Sequence, residues 1–346
     1  MAVLVLLIAG LGAGCSTVGY YSQAVSGHVD LTLRRTSIDK LVDDPDTDPA
    51  LRERLESVQD IRAFAIDELD LPDSGSYTDF ADLERDVTVW LVTAAPELSL
   101  EAYRWCYPFV GCLSYRGYFK RAAARQLAED LEADGYETAL SPAIAYSTLG
   151  FMDDPVLNTM LAYDDLELAG LIFHELAHEL VFVRGDARFN ESFASAVEKL
   201  GKARYAQARA LQVDPDAAAR SAAREADFLA LLLATRAALD EIYRSEDPDD
   251  RKRERKAAAL AALQGEQAGF KARWDGYAGY DHWFAPEPPN NARLALLSTY
   301  QLDVAAFEAL FAASGGDFAA FYVAVEALAD LPEDERRARL DALAPP

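Results

Sequence analysis

The chain is 346 residues long, 51% hydrophobic and 26% charged, which excludes a disordered protein and suffices for a large core. Its formal net charge of −25 excludes the clustered Lys and Arg that nucleic acid or anionic lipid would need, so no nucleic-acid partner is expected.

Residues 2–14 read AVLVLLIAGLGAG, an uncharged apolar run that leads to Cys15-Ser16. It is too short to span a bilayer and long enough for the apolar core of a signal peptide, so residues 1–14 are expected to be removed. Small residues immediately before a lone cysteine resemble the bacterial lipoprotein signal. That resemblance implies a lipid anchor on Cys15. Ser16 after it implies sorting to the outer membrane, with the protein in the cell envelope and facing the periplasm. A plain secretory signal is the alternative. Export would put Cys106 and Cys112 in an oxidising compartment. They lie six residues apart with Pro108 and Gly111 between them, so a small disulfide loop is expected.

The stretch 15–85 reads as an N-terminal helical region. Helices are predicted over Tyr20–Arg35 and Ile38–Leu41. Asp48-Pro49 starts a longer one to about Leu69, with Asp as the cap and Pro in the first turn. The next region, 86–210, opens with strands: Val87–Thr93, Tyr115–Phe119, Tyr136–Leu140 and Ala143–Thr148. Lys120–Asp134 is a helix stopped by Gly135. Residues 143–150 read equally as an edge strand able to bind a peptide backbone or as an interior strand. Asp164, with Glu167 three residues on, caps a helix from Leu166 to about Val183, and another helix starts near Asn190. Beyond 211 the chain is helical. Ala217–Arg244 and Arg251–Trp274 form a hairpin, Tyr277–Phe284 is an aromatic loop, and helices follow at 292–300, 303–313, 317–328 and 333–343. The Arg/Lys run at 251–256 is expected to be a solvated face. The fold class is therefore α+β and mostly helical, with a small mixed or antiparallel sheet before the 166–183 helix. The helical region 211–346 completes the cleft.

Half of the four histidines fall in Phe173-His174-Glu175-Leu176-Ala177-His178-Glu179. Residues four apart share a helix face, so His174 and His178 can converge on one metal ion. Glu175 then sits beside the ion, where a base must be to take a proton from the water that the ion activates. On the following helix Glu191 is the natural third ligand, and a fourth position is left open. Two His and one Glu in that arrangement match a catalytic Zn2+ site, one ion per chain, in a zincin-like core. Glu198, seven residues beyond Glu191, is the candidate to hold a ligand imidazole from behind. Tyr300, Tyr277 and His282 are candidates to donate a hydrogen bond to the transition state. The chemistry implied is hydrolysis of a peptide substrate. An endopeptidase, a cell-wall amidase and a non-catalytic lipoprotein with a structural metal are the alternatives.

Several stretches carry a family resemblance: G-C-S-T-V-x-Y-Y, W-C-Y-P-F-V-G-C-x-x-Y-R-G-Y-F, Y-S-T-L-G, the H-E-L-A-H helix, F-N-E-S-F-A and P-P-N-N-A-R-L. In that order they resemble a bacterial family of zinc aminopeptidases, many of them lipoproteins, from about Cys15 to Tyr300. The resemblance implies a gluzincin-like metallopeptidase with His174, His178 and Glu191 as ligands and Glu175 as the base. Better-known gluzincins have a longer gap before the second-helix Glu and an Asp four residues after it. Ser195 stands at that place here, which leaves Glu198 to substitute.

Overall fold

The computed structural model describes residues 19–107, 111–145, 148, 152–211, 214–285, 287–297 and 303–344. The expected signal, Cys15, Tyr300 and parts of 143–150 lie outside those residues. The fold is α+β and mostly helical, as the sequence implies. Helix α1 covers 19–33. Strand β1 (Arg35–Ser37), helices α2 (Ile38–Asp43) and α3 (Pro49–Leu69), and strand β2 (Asp79–Ala81) follow. Asp48 caps α3 by accepting from the Ala50 and Leu51 amides.

Two small three-stranded sheets precede the motif helix. In the first, β1 pairs antiparallel with β2, and β2 pairs parallel with β8 (Val156–Leu157). These strands are two or three residues long, too short to leave a periodic pattern in the sequence. The second sheet has the order β6-β3-β7, with β3 at Val89–Pro96, β6 at Arg116–Tyr118 and β7 at Tyr136–Ala143. Helix α4 (Arg121–Ala133) packs on it, joining Val92, Ala94, Ala124, Ala128 and Leu131 in one cluster. Between β3 and β6 lies a hairpin, β4 (Trp105–Tyr107) and β5 (Gly111–Leu113), in which Cys106 faces Cys112 and is bonded to it as a disulfide.

β7 runs unbroken through Ser141 and Pro142, in place of the two strands expected. Its register with β3 explains why a proline is tolerated. Ala94 and Thr138 are partners, and each turns its carbonyl away from the other, to the Tyr103 amide at 2.7 Å and to Asn290 Nδ2 at 2.8 Å. By the two-residue period, Pro142 also faces the open edge, where its missing N–H breaks no ladder bond.

The motif helix α5 (Asp165–Leu180) is capped by Asp164, which accepts from the Glu167 amide. It ends three residues before the expected Val183. The Asn190 side chain accepts from the Val183 amide and donates to its carbonyl, which takes that residue into the connection. Helix α6 (Ala187–Ala208) begins before Asn190, because Asp186 caps it by accepting from the Phe189 amide. The hairpin α7 (Pro215–Arg244) and α8 (Asp249–Arg273) builds its own apolar cluster with α9 (Asn291–Ala295), around Phe228, Leu239, Phe270 and Leu294. One residue of the basic run departs from the solvated face. Lys256 is only 6% exposed, donates to the Glu97 carbonyl at 2.7 Å and pairs with the Glu137 carboxylate, which docks the hairpin on β7.

Helices α10 (Val304–Ala313), α11 (Phe318–Ala329) and α12 (Glu333–Leu343) return to the main core. Phe307, Phe321 and Val325 there are fully buried with Phe173, Phe189 and Phe193 of the two motif helices. Arg336 fastens α12 to the start of α6, donating to Asp186 Oδ2 at 2.7 and 3.0 Å and to the carbonyls of Ala329 and Leu331. Removing one partner of a buried pair leaves an uncompensated charge, at a cost of about 3 kcal/mol. Arg336→Ala is therefore expected to lower unfolding stability in urea by about that amount. Arg337→Ala, at a half-exposed position whose partner is the solvated Glu333, should stay within about 0.5 kcal/mol of the parent.

Candidate metal centre

The two motif helices meet through small residues. A Cβ at Gly201 of α6 would lie 2.6 Å from the Phe173 ring and 2.9 Å from Leu69. A Cβ at Gly170 of α5 would meet Lys202 and come within 3.1 Å of Glu198 Cγ. At Gly201 the neighbours are a buried ring and a buried leucine, so a side chain there would force them apart, whereas at Gly170 the flexible Lys202 chain would have to move aside.

At that crossing His174, His178 and Glu191 come together, with one ligand atom of each within 4.8 Å of the others. Glu191 spans the pair. Its Oε2 lies 3.5 Å from His174 Nε2, and its Oε1 lies 3.8 Å from His178 Nε2. The imidazole rings stand nearly perpendicular, 81° apart in plane, with centroids at 4.9 Å. Glu198 sits behind His174, 3.3 Å from Nδ1, so the second nitrogen of that ring has a carboxylate partner. In the neutral ring this places the proton on Nδ1 and leaves Nε2 free toward Glu191. His178 is 4% exposed, and its buried Nδ1 has no hydrogen-bond partner among the described residues.

Electrostatics separate the two imidazoles. Burial disfavours a charge on His174, but Glu191 and Glu198 bond to it and Glu175 adds to their field, and its pKa is lifted to about 10. His178 is lowered to about 4 by burial, with His174 pushing the same way and Glu191 opposing. Burial works to raise Glu191 and Glu198. The hydrogen bond that each makes to His174, together with the neighbouring positive charges, more than offsets burial and lowers both. Without a cation, the centre therefore holds one proton between carboxylates. Two imidazoles and a carboxylate converging on one point are a donor set that fits Zn2+ and other first-row divalent ions.

The disulfide hairpin frames this centre. Gly111 packs on Arg184 and Gly185 in the turn between α5 and α6. Tyr115, just beyond β5, lies in the field of Glu191 and Glu175. Burial first, then those two carboxylates, raises its pKa so far that the phenol stays protonated. Tyr77 also lies in the field of Glu175. Burial and the charges of Glu175, Asp154 and Glu179 raise its pKa as well, and its amide donates to the Asp154 carbonyl at 2.7 Å. Both tyrosines are additions to the residues read from the sequence. Tyr115 stands inside the quoted W-C-Y-P-F-V-G-C-x-x-Y stretch, which is the one signal that could have pointed to it.

Two of the three expected donors have partners of their own. Tyr277 stacks on Arg224, 3.6 Å from guanidinium to ring centroid, and packs edge-on to Tyr280. His282 Nδ1 is bonded to the Gly279 carbonyl at 2.9 Å and lines a cavity of about 840 Å³ between α4, β7 and α7, which none of the three converging residues touches. Tyr300 is outside the described residues.

A metal ion entering the centre must displace the His174 proton. Below about pH 10 each ion bound releases one proton, so apparent affinity rises about tenfold per pH unit and levels off near pH 10. Competition with a chelator of known affinity across the neutral range is expected to show that slope. A flat profile would mean that His174 is already neutral.

A model of the family described as "Putative aminopeptidase" matches residues 19–340. No curated protein and no solved structure gives a significant match. The family match runs from α1 into α12 and takes in both motif helices, and the chain belongs to that family.

Proposed function

We propose that the chain is an exported zinc metallopeptidase of zincin-like build, acting as an aminopeptidase. His174, His178 and Glu191 hold one Zn2+, and Glu175 is the general base. The observation that carries this reading is the convergence of two imidazoles and one carboxylate beside Glu175, on helices matched by the aminopeptidase family.

Zn2+ in that position would lower the pKa of water and polarise the scissile carbonyl. The chain supplies the rest. Glu175 takes the proton from the attacking water on a carboxylate oxygen and passes it to the leaving amine nitrogen. Glu198 accepts from His174 Nδ1 and keeps that ring turned toward the ion. Tyr115, held protonated, donates its phenol hydrogen to the carbonyl oxygen as that atom gains charge. The substrate is a peptide. The export half of the reading rests on residues 2–15 and places the chain in the envelope, anchored to the membrane by lipid on Cys15. The Cys106–Cys112 disulfide supports it, because such bonds persist outside the cytosol.

The zinc-loaded protein is expected to cleave a free peptide and to spare its N-acetylated form. Equal cleavage of both would exclude an aminopeptidase and leave an endopeptidase or an amidase. Glu175→Gln should lose about a thousandfold in kcat while its zinc content is unchanged. Zinc binding with no hydrolysis by either form would leave a structural metal site.

Tyr115→Phe is expected to lower kcat by about a hundredfold with little change in KM, the signature of a donor felt mainly in the transition state. A change confined to KM would place Tyr115 in substrate binding instead.

A further inference from the structure

Helix α1 presents two unlike faces. The inward row is fastened to the β6 segment. Tyr20 packs on Tyr107 and Tyr118, Gln23 bonds to the Gly117 carbonyl and the Phe119 amide, and Leu31 is buried in the main core. The outward row is Tyr21, Val25, Val29 and Leu33, exposed by 43%, 62%, 47% and 80%. Steps of four residues keep successive members within about 40° of each other around the helix, so the four form one slanting stripe. The exposed residues around them are Gly19, Ser22, Ser26, Asp30 and Thr32. Asp30 is the one charge in that set, and Arg34 pairs with it at 3.2 Å. In a chain that is 26% charged, this is an outer surface of large apolar side chains with almost no charge.

The position of the stripe indicates what covers it. Only Ser16, Thr17 and Val18 separate Cys15 from the start of α1. Fully extended, that length reaches roughly 14 Å. A lipid on Cys15 would therefore hold α1 against the bilayer surface. Among the described residues no helix is long and apolar enough to cross a membrane, so the contact is one that lies on the surface. The net charge of −25 selects against anionic headgroups, and an uncharged stripe suits a zwitterionic surface.

We propose that the outward face of α1 is a membrane-contact surface, on which Tyr21, Val25, Val29 and Leu33 enter the interface of a zwitterionic bilayer. It rests on the reading of Cys15 as a lipid anchor. Because the inward face of α1 carries β6 and touches the disulfide hairpin, the same contact fixes how the metal centre is turned relative to the membrane.

The test uses the full chain, purified from membranes and reconstituted in phosphatidylcholine vesicles, with acylation of Cys15 read by mass. An environment-sensitive fluorophore is placed on Val25→Cys, on Leu33→Cys and, as a control, on the exposed Glu335→Cys of α12. The expected result is a blue shift at 25 and 33, with loss of emission when the vesicles carry doxyl-labelled lipid, and neither effect at 335. An acylated protein whose probes at 25 and 33 stay in water overturns the proposal. So does equal quenching at all three positions, and so does cross-linking of 25 to 25 between copies without quenching by lipid. If Cys15 proves unmodified, the anchor reading has failed separately. Cosedimentation of the chain with the same vesicles then decides: binding lost in Val25→Asp supports the surface, and no binding by the parent overturns it.

Discussion

The close crossing of α5 and α6 is the constraint on which the site depends. Glu191 reaches both imidazoles where Gly201 lets the helix axes approach, since a side chain there would meet the Phe173 ring and Leu69. The same approach puts Glu198 behind His174. Packing and ligand geometry are thus one problem. A wider crossing would leave an apolar gap at Phe173 and would also spread the ligand atoms beyond the reach of one ion.

Charge is arranged around that crossing with equal economy. Two carboxylates on α6 bracket one imidazole, and the second imidazole is kept neutral by burial. The result is a centre whose two histidines have opposite proton affinities although they occupy consecutive turns of one helix. A cation held there would replace the His174 proton and would give His178 Nε2, now 3.8 Å from Glu191 Oε1, a partner.

Much of the helical frame was legible in the sequence, because its signals are local. Asp48-Pro49, Asp164 and Gly135 mark their boundaries through caps and turns. The His174, His178 and Glu191 cluster was legible because helical spacing and one short connection determine it. Long-range facts were not. Pro142 suggests a strand break until the register shows that it faces an open edge. Lys256 belongs to a basic run until the hairpin docks on Glu137. Tyr277 and His282 share an aromatic loop that looks suited to a cleft, yet their partners are Arg224 and Gly279. Tyr115 lies in the field of Glu191 and Glu175, next to the disulfide hairpin whose Gly111 meets the turn between α5 and α6, a contact that no local pattern announces.

The pairing of Asp186 with Arg336 has a temporal side. Asp186 starts the helix that carries Glu191, and its carboxylate is satisfied by a residue 150 positions further along the chain. The aromatic cluster beneath that helix likewise waits for Phe307 and Phe321. During synthesis, or passage through a narrow pore, the motif sequence emerges long before the residues that complete its surroundings. The surroundings of His174, His178 and Glu191 are therefore complete only once almost the whole chain is present. A polypeptide still in transit would carry the ligands without the site.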